Sequence, residues 1–333
     1  MLRLTLDRLV AAALTLLGAS VISFVILRAV PSNPARLIAG PFATDEVIRN
    51  VEAELGLDKP IWQQYVSYIW DFAHGDWGFS YSAGQPVLTQ MAERLPASAE
   101  LGLYAFAIAL AGALIFALLA ALSGSRIVDY AVRIMSFIFL GVAPFWIALI
   151  LLMVFFEQLG WLPGPGGRGM TPSVVHTGFH TIDHLLNGDL RGFFDALTAL
   201  LLPALSLALA PMGYMIRLLR ANLLDTRSEG FVPVLHARGL SGTRTKLLHI
   251  LPNAFLPTLT AAGLIFSQLI GGSVLIEKMF SWPGIGTLVT DSILRQDYAV
   301  VQAFVLLSAF LYVLVSLAVD ILYGVLDPRI RRS

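Results

Sequence analysis

Glu229-Gly-Phe-Val-Pro-Val-Leu-His-Ala-Arg-Gly-Leu-Ser-Gly-Thr-Arg-Thr-Lys-Leu-Leu-His-Ile-Leu-Pro-Asn-Ala-Phe255 is a polar stretch, punctuated by Gly and Pro, set among long apolar runs. It reads as two short helices meeting at a corner. Pro233 suits a first helical turn, where its missing N–H costs nothing. Gly239 suits the left-handed residue that ends a helix. Ser241 or Thr243 can cap the next one, with Arg244 and Lys246 crowding its first half. That second helix is expected to run through Leu247 and Leu248 into the apolar span after Pro252. A folded, basic corner at a membrane surface is suited to docking a partner. The plainer reading is a solvated loop that satisfies the positive-inside rule.

Composition sets the class around this corner. Hydrophobic residues are 57% of the 333 and charged residues 13%, with formal net charge zero. Mean hydropathy is +0.76. Several apolar runs reach ~20 residues, the length that crosses ~30 Å of hydrocarbon. The chain therefore reads as an all-α, multi-span membrane protein. Neutral charge gives no reason to invoke nucleic acid. The absence of cysteine excludes disulfides and thiol chemistry.

Outward from the corner, the first apolar run is Leu9 to Leu27, with Arg3 and Arg8 before it. It is longer than a signal-peptide core, so it reads as an uncleaved first span with the N-terminus in the cytoplasm. Residues 28 to 95 are mostly polar. They contain Pro31-Ser-Asn-Pro-Ala35, an amphipathic helix expected over Asp45 to Leu57, and Gly75-Asp-Trp-Gly-Phe-Ser80. Trp62, Tyr65, Tyr68, Trp70 and Trp77 fit an interfacial aromatic belt. Further spans are expected at about Leu101 to Leu122, Ala131 to Phe156 (kinked at Pro144), Leu200 to Leu219, Ala254 to Ile276 and Val300 to Val325. Gly263, Gly271 and Gly272 in the fifth permit close helix approach.

Six spans put both termini on one side. Thirteen Lys and Arg then fall on cytoplasmic segments and nine on outer ones. The inner ones crowd into short turns and helix ends, as the positive-inside rule requires.

Other chemistries are weighed against this class. A phosphate-binding Walker loop needs Gly before Lys, but Lys59, Lys246 and Lys278 follow Asp58, Thr245 and Glu277. Nucleotide chemistry must therefore come from a partner. The apolar spans carry almost no ionisable residues, which disfavours an ion-coupled carrier and an intramembrane enzyme. His176, His180 and His184, with Asp183, sit at helical spacing, so three imidazoles on one face form a weak candidate metal site. Gly178 weakens that helix, and the alternative is an interfacial helix with polar residues.

The corner resembles the cytoplasmic coupling loop of ABC-transporter inner-membrane permeases, whose loose pattern is Glu-Ala-Ala, three residues, Gly, then about ten residues to Leu-Pro. Gly239 and Leu251-Pro252 fall in register. Pro233, Val234 and Leu235 stand at the Glu-Ala-Ala positions, so that part is absent. His236-Ala237-Arg238-Gly239-Leu240 resembles the Ala-Arg-Ala-Lys-Gly-Leu of the peptide-importer branch, with one residue fewer. Pro31 and Pro34, Gly75-Asp76 with Gly78, and Glu277-Lys-Met-Phe280-Ser-Trp-Pro283-Gly284-Ile-Gly286 occur in that branch's order. So do Arg295-Gln-Asp-Tyr298 and the ending Asp327-Pro-Arg-Ile-Arg-Arg332. Pro-Gly-x-Gly is expected to need unusual backbone angles in an outer re-entrant turn.

The resemblance implies the first-permease (B-type) subunit of a dipeptide or oligopeptide importer. It implies residues 1–29 as cytoplasmic N-terminus and first span, 30–97 as an extracytoplasmic segment, and 98–333 as a five-helix core. Within that core lie a coupling loop at 227–249 and a second extracytoplasmic segment at 157–198. The implied partners are a distinct second permease, two ATP-binding-cassette ATPases, a solute-binding protein and membrane lipid. ATP and magnesium would sit in the ATPases, with no cofactor on this chain. Val234, Leu235, His236, Ala237, Arg238, Gly239, Leu240, Arg244 and Lys246 would couple to the ATPase, with Leu235 and Leu240 as apolar anchors. The same architecture importing nickel, an opine or an oligosaccharide is the nearest alternative. A non-transporting receptor or scaffold is a remote one.

Overall fold

Hydrocarbon offers no partner for a bare N–H or C=O, so long apolar runs fold as helices that satisfy their own backbones. The computed structural model describes residues 2–29, 35, 39, 42–54, 56–271 and 273–326. Pro31, Pro34, Gly272 and the 327–332 ending lie outside the described residues, as do the side chains of Arg3 and Arg8.

The chain opens with α1 (Leu2–Ala29), α2 (Asp45–Glu54) and α3 (Ile61–Ala73), then a short hairpin of β1 (Phe79–Ser80) and β2 (Gln85–Pro86). Next come α4 (Val87–Leu122), α5 (Arg126–Gly141), α6 (Pro144–Leu151) with a π-helical turn at Leu152–Gln158, α7 (His180–Leu186) and α8 (Leu190–Arg227). The Gly- and Pro-punctuated corner holds α9 (Phe231–Ala237) and α10 (Gly242–Thr245), joined by a π turn at Lys246–Ile250 to α11 (Leu251–Ile270). Three helices follow: α12 (Val274–Met279), α13 (Ile285–Leu294) and α14 (Tyr298–Leu326).

Among the described residues four stretches are long and apolar enough to cross a membrane: Val87–Ala121, Leu190–Arg227, Gly242–Ile270 and Tyr298–Val319. The bent pair α5 and α6 makes five if counted as one span, and Val10–Val25 in α1 is a shorter apolar helix. This is a multi-pass, all-α membrane protein.

Several expected boundaries move, each for a local reason. The helix that holds the second span begins at Val87, ahead of the expected Leu101, with Pro96 accommodated inside α4. The third span is not one kinked helix: α5 and α6 meet at 105°. Val142 and Ala143 are extended there, as the residue before a proline prefers, and Pro144 opens the new helix. The helix that holds the fourth span runs beyond Leu200 to Leu219 at both ends and, as expected, keeps Pro203 and Pro211 in its interior. The fifth stops at Ile270, since Ser273 is extended and Ile276 belongs to the separate α12. The amphipathic helix expected over 45 to 57 is α2, ending at Glu54.

Contacts divide the chain into two compact units, Met1–Leu95 with Thr287–Val313, and Pro96–Gly286 with Leu314–Ser333. In the first, α1 packs on α3: Ser20 and Tyr65 share a 2.7 Å hydrogen bond, and Phe24 lies edge-on to the Tyr65 ring. Trp62 and Trp70 on the same helix are exposed, consistent with an interfacial belt.

In the second, α8 is the central helix, packed against α5, α6, α7 and α11. Small residues such as Ala204 and Ala208 let its neighbours approach, around a core with Leu200, Met215 and Ile216. Arg220 of α8 makes a two-pronged ion pair with Asp129 of α5, at 2.5 and 2.7 Å. Gly263 of α11 meets Val319 with no room for a Cβ. Gly271 instead follows the last turn of α11.

Candidate functional site

The corner is built as two capped helices. In α9 the N–H of Gly239 bonds to His236 O at 2.9 Å, and the N–H of Leu240 to Leu235 O at 3.2 Å. This pair of bonds is a Schellman termination, which needs a left-handed residue, and Gly239 supplies it at φ +81°. Ser241, not Thr243, then caps α10 by accepting the Arg244 N–H. The second arm runs without a break into the span ending at Ile270.

The corner is anchored to the spans by one face. Val232 is buried in a cluster with Ala117 of α4, Leu219 and Leu223 of α8, and Ile250 and Ala254 of the second arm. Burying a valine contributes about 1.5–3 kcal/mol, enough to hold α9 as an extension of the helix ends beneath it. Val234, His236, Ala237, Arg238 and Arg244 face outward. Leu235 and Leu240, the expected apolar anchors, are half-exposed. The most exposed apolar side chains here are Val234, Leu247 and Leu248. Helix pitch explains this, because Val234 lies opposite the buried Val232 face.

A second constellation joins three segments of the same unit. Glu277 of α12 is fully buried, and its Oε1 accepts the Ser98 hydroxyl at 2.7 Å. Ser98 Oγ in turn accepts the Ile285 N–H at 2.9 Å, and Trp282 Nε1 donates to Ala97 O at 2.8 Å. One turn along α4, buried Glu100 takes Arg168 on Oε2 at 2.5 Å and the Thr181 N–H and hydroxyl on Oε1 at 2.9 and 2.6 Å. Arg168 also donates to Gly178 O and lies over the Trp282 ring.

Gly284 and Gly286 serve this network differently from expectation. Neither takes a left-handed backbone angle, and Ser281 does so instead, at φ 53°. A Cβ on Gly284 would collide with Ser98 Oγ and the Glu277 carboxylate, and one on Gly286 would crowd the same carboxylate. The Gly-x-Gly pattern is therefore a matter of space. Phe280 is buried, and Pro283 follows Trp282 into the turn.

The first unit brings together two other motifs quoted above. Gly75 ends α3 at φ +88°. Asp76 Oδ1 accepts the Gly78 N–H, and Gly78 O accepts the Val87 N–H where the hairpin closes. The buried Asp297 then accepts the hydroxyls of Ser80 and Ser82 at 2.6 and 2.7 Å.

The histidine cluster is corrected. His176 lies before α7, because Gly178 takes a left-handed angle and breaks the helix. His176 Nε2 meets Asn187, His180 Nδ1 meets Arg168 O, and buried His184 spends both nitrogens on Asp189 and Met170 O. Among the described residues no group of three His, Asp or Glu is placed to hold a metal. Desolvation, then the Arg168 charge, push His180 below its ordinary value. Burial pushes Asp183 up, but the hydrogen bonds from Thr177, Gly178 and His176 outweigh it and hold the carboxyl low.

Sequence reasoning missed Ser98, Glu100, Arg168 and Asp297 as members of a site. Glu100 carried the available signal, a lone acid at the head of an apolar run. Its partners are 68 and 81 residues away, beyond the reach of any local pattern.

Both constellations spend their polar groups on hydrogen bonds that fix backbone geometry. The sequence profile of the family described as "Binding-protein-dependent transport system inner membrane component" matches residues 113–332, and that of its N-terminal region matches residues 1–102. The chain is 40% identical over 323 residues to the "Probable D,D-dipeptide transport system permease protein DdpB" of Escherichia coli K12, covering 96% of this chain and 95% of that one. It is 38% identical to the "Di/tripeptide transport system permease protein DppB" of Pseudomonas aeruginosa UCBPP-PA14, with 96% of each chain covered. It is 36% identical over the full length of both chains to the "Dipeptide transport system permease protein DppB" of E. coli K12. Profile, relatives and the helix corner at the ends of two spans converge: the chain belongs to the binding-protein-dependent transport system inner-membrane components, as a permease subunit and not an enzyme.

Proposed function

We propose that this permease forms part of the path through which an ATP-binding-cassette importer moves di- and oligopeptides delivered by a solute-binding protein. The three relatives quoted above, whose names specify dipeptides or tripeptides, support that cargo over nickel, opines or oligosaccharides. α1 is taken as the first span and α5 with α6 as the third, giving six. Both termini are then cytoplasmic, residues 30–97 and 157–198 are extracytoplasmic, and 227–249 is the cytoplasmic coupling loop of a core that begins at 98. A distinct second permease completes the path, and two ATPase subunits carry ATP and magnesium.

The observation that carries the reading is the capped corner itself, with Val234 and Arg238 outward and Val232 plugged into the ends of three long helices. α9 fits a groove on the ATPase in the helix-in-groove manner. Closure of the ATPase pair pushes a stiff lever, and the Val232 plug passes the push to α4, α8 and α11. The 98–100 and 277–286 network holds the extracytoplasmic part of the second unit in shape, and Asp76, Gly78 and Asp297 do the same within the first.

The test uses the absence of cysteine. A single Cys at Leu240, cross-linked in native membranes, is expected to capture a subunit bearing a Walker loop. Capture of nothing by an inserted, intact protein overturns the coupling role. Gly239→Pro and Leu240→Asp should leave insertion unchanged but uncouple ATP hydrolysis from uptake. Growth on a dipeptide as sole nitrogen source reads the cargo.

A further inference from the structure

The elbow between α5 and α6 leaves backbone unpaired. Val142 and Ala143 are extended there, and the Val142 N–H reaches back to Ile138 O at 3.2 Å. Among the described residues the N–H groups of Ala143 and Phe145 have no hydrogen-bond partner, nor do the carbonyls of Leu140, Gly141 and Val142. Gly141, Ala143, Phe145 and Trp146 are exposed on this chain, while Ile147 and Ala148 just beyond are buried. Trp146 is 56% exposed, and no acceptor meets its indole N–H among the described residues.

Two features place this elbow near mid-membrane. The uncharged run across it, Ile134 to Phe156, lies between Arg133 and Glu157 and is centred on Phe145. In α8 the uncharged run lies between Asp195 and Arg217 and is centred on Ser206. Each is close to the ~20 residues that cross the hydrocarbon. The two helices pack antiparallel: Asp129 pairs with Arg220, and Gly213 lies against the backbone of Ser136 and Leu140. Carried on at the helical rise, that step sets Val142 level with about Leu207, beside the centre of the α8 run.

Lipid tails make no hydrogen bonds, so unpaired backbone at that depth is tolerated only against protein or water. An indole N–H left bare there is costly for the same reason. Broken helices at mid-membrane can bind a substrate through the backbone groups they free. A peptide main chain is the occupant that matches these groups, because each of its residues offers one donor and one acceptor.

We propose that the α5–α6 elbow lines the cargo path and hydrogen-bonds the main chain of the passing peptide, an inference that rests on the peptide-import reading above. The free carbonyls of Leu140, Gly141 and Val142 take its N–H groups, and the N–H groups of Ala143 and Phe145 take its carbonyls. These bonds ignore the peptide's side chains. They are also few and uncharged, so the peptide can leave.

Ala143→Cys and Gly141→Cys test this, since the chain has no other cysteine and a Cβ at Gly141 meets nothing within 4 Å. Each is assembled in proteoliposomes with its partner subunits, binding protein and ATP, and uptake of alanyl-alanine is measured first. The thiol is then offered 2-(trimethylammonium)ethyl methanethiosulfonate, a permanent cation that reaches only hydrated thiols. Modification is read from the mass of this chain. Both thiols are expected to react, and alanyl-alanine to slow the reaction about fivefold, as ~80% occupancy gives by mass action. Unreactive thiols in an importer that takes up the dipeptide overturn the inference, because the second permease or lipid then covers the elbow. Reaction that the dipeptide leaves unchanged overturns it too, since cargo then passes elsewhere. Absence of uptake by the wild-type importer is a separate failure, of the cargo reading, and takes this inference with it. Should one variant not assemble, the other is read by the same criteria.

Discussion

Gly284 shows how much a single missing side chain can settle. Its backbone angle is open to any residue, yet a Cβ there would displace either Ser98 Oγ or the Glu277 carboxylate. Gly284→Ala is therefore expected to destabilise the protein by about 1–3 kcal/mol, the usual cost of overpacking. Thermal unfolding of the solubilised protein reads it, and an unchanged midpoint would mean that the network relaxes freely. Glu100 and Arg168 set a stiffer condition. Removing one member of a buried pair leaves the other charge without compensation, at roughly 3–5 kcal/mol. Arg168→Met should cost that much, and Arg168→Met with Glu100→Gln should recover a large part of it. A double variant no more stable than the single one would show that Thr181, not the ion pair, is the main partner of Glu100.

At the scale of elements, the sequence was most legible where chemistry is local. Gly239 announced its left-handed cap, Ser241 or Thr243 the N-cap, and the run after Pro252 its span, because each depends on residues within one helical turn. It was least legible where a proline or glycine answers to distant partners. Pro96 stood ahead of the expected second span yet sits inside its helix, whereas Pro144 read as a kink and opens a new helix at 105°. Ser281 takes the left-handed place that the glycines of the same motif seemed made for. The polar network is invisible to periodicity for the same reason, since Glu277 meets Ser98 across 179 residues.

The α7 segment adds a pH signature. His180 is held below its ordinary value by burial and by Arg168, and Asp183 is held low by its hydrogen bonds overcoming burial. Groups whose folded values are depressed contribute stability above their unfolded values, and that contribution is lost as pH falls. His180 therefore acts first, below about pH 6.5, and Asp183 only below about pH 4. The unfolding midpoint should drop between about pH 7 and pH 5, and His180→Gln should flatten that slope. An unaltered slope in the variant would place the titrating group elsewhere.

At the scale of the whole molecule, a lever is useful only if its ends lie on opposite sides of the membrane. Within the second unit, the helix Leu190–Arg227 separates the segment holding Arg168 and Asp183 from the corner holding Gly239. Val175 and Val234 are both exposed, and the proposed topology, with one crossing between them, requires them on different sides. Single cysteines at those positions test this without background, because the chain has none of its own. A membrane-impermeant maleimide should label Val175→Cys in cells whose outer barrier alone is opened, and Val234→Cys only after the inner membrane is breached. Equal labelling of both in sealed cells would make α8 a surface or re-entrant helix, and the corner could then not receive a push from the cytoplasm. The proposed orientation requires the asymmetric result, because closure of an ATPase can act only on a corner that shares its side.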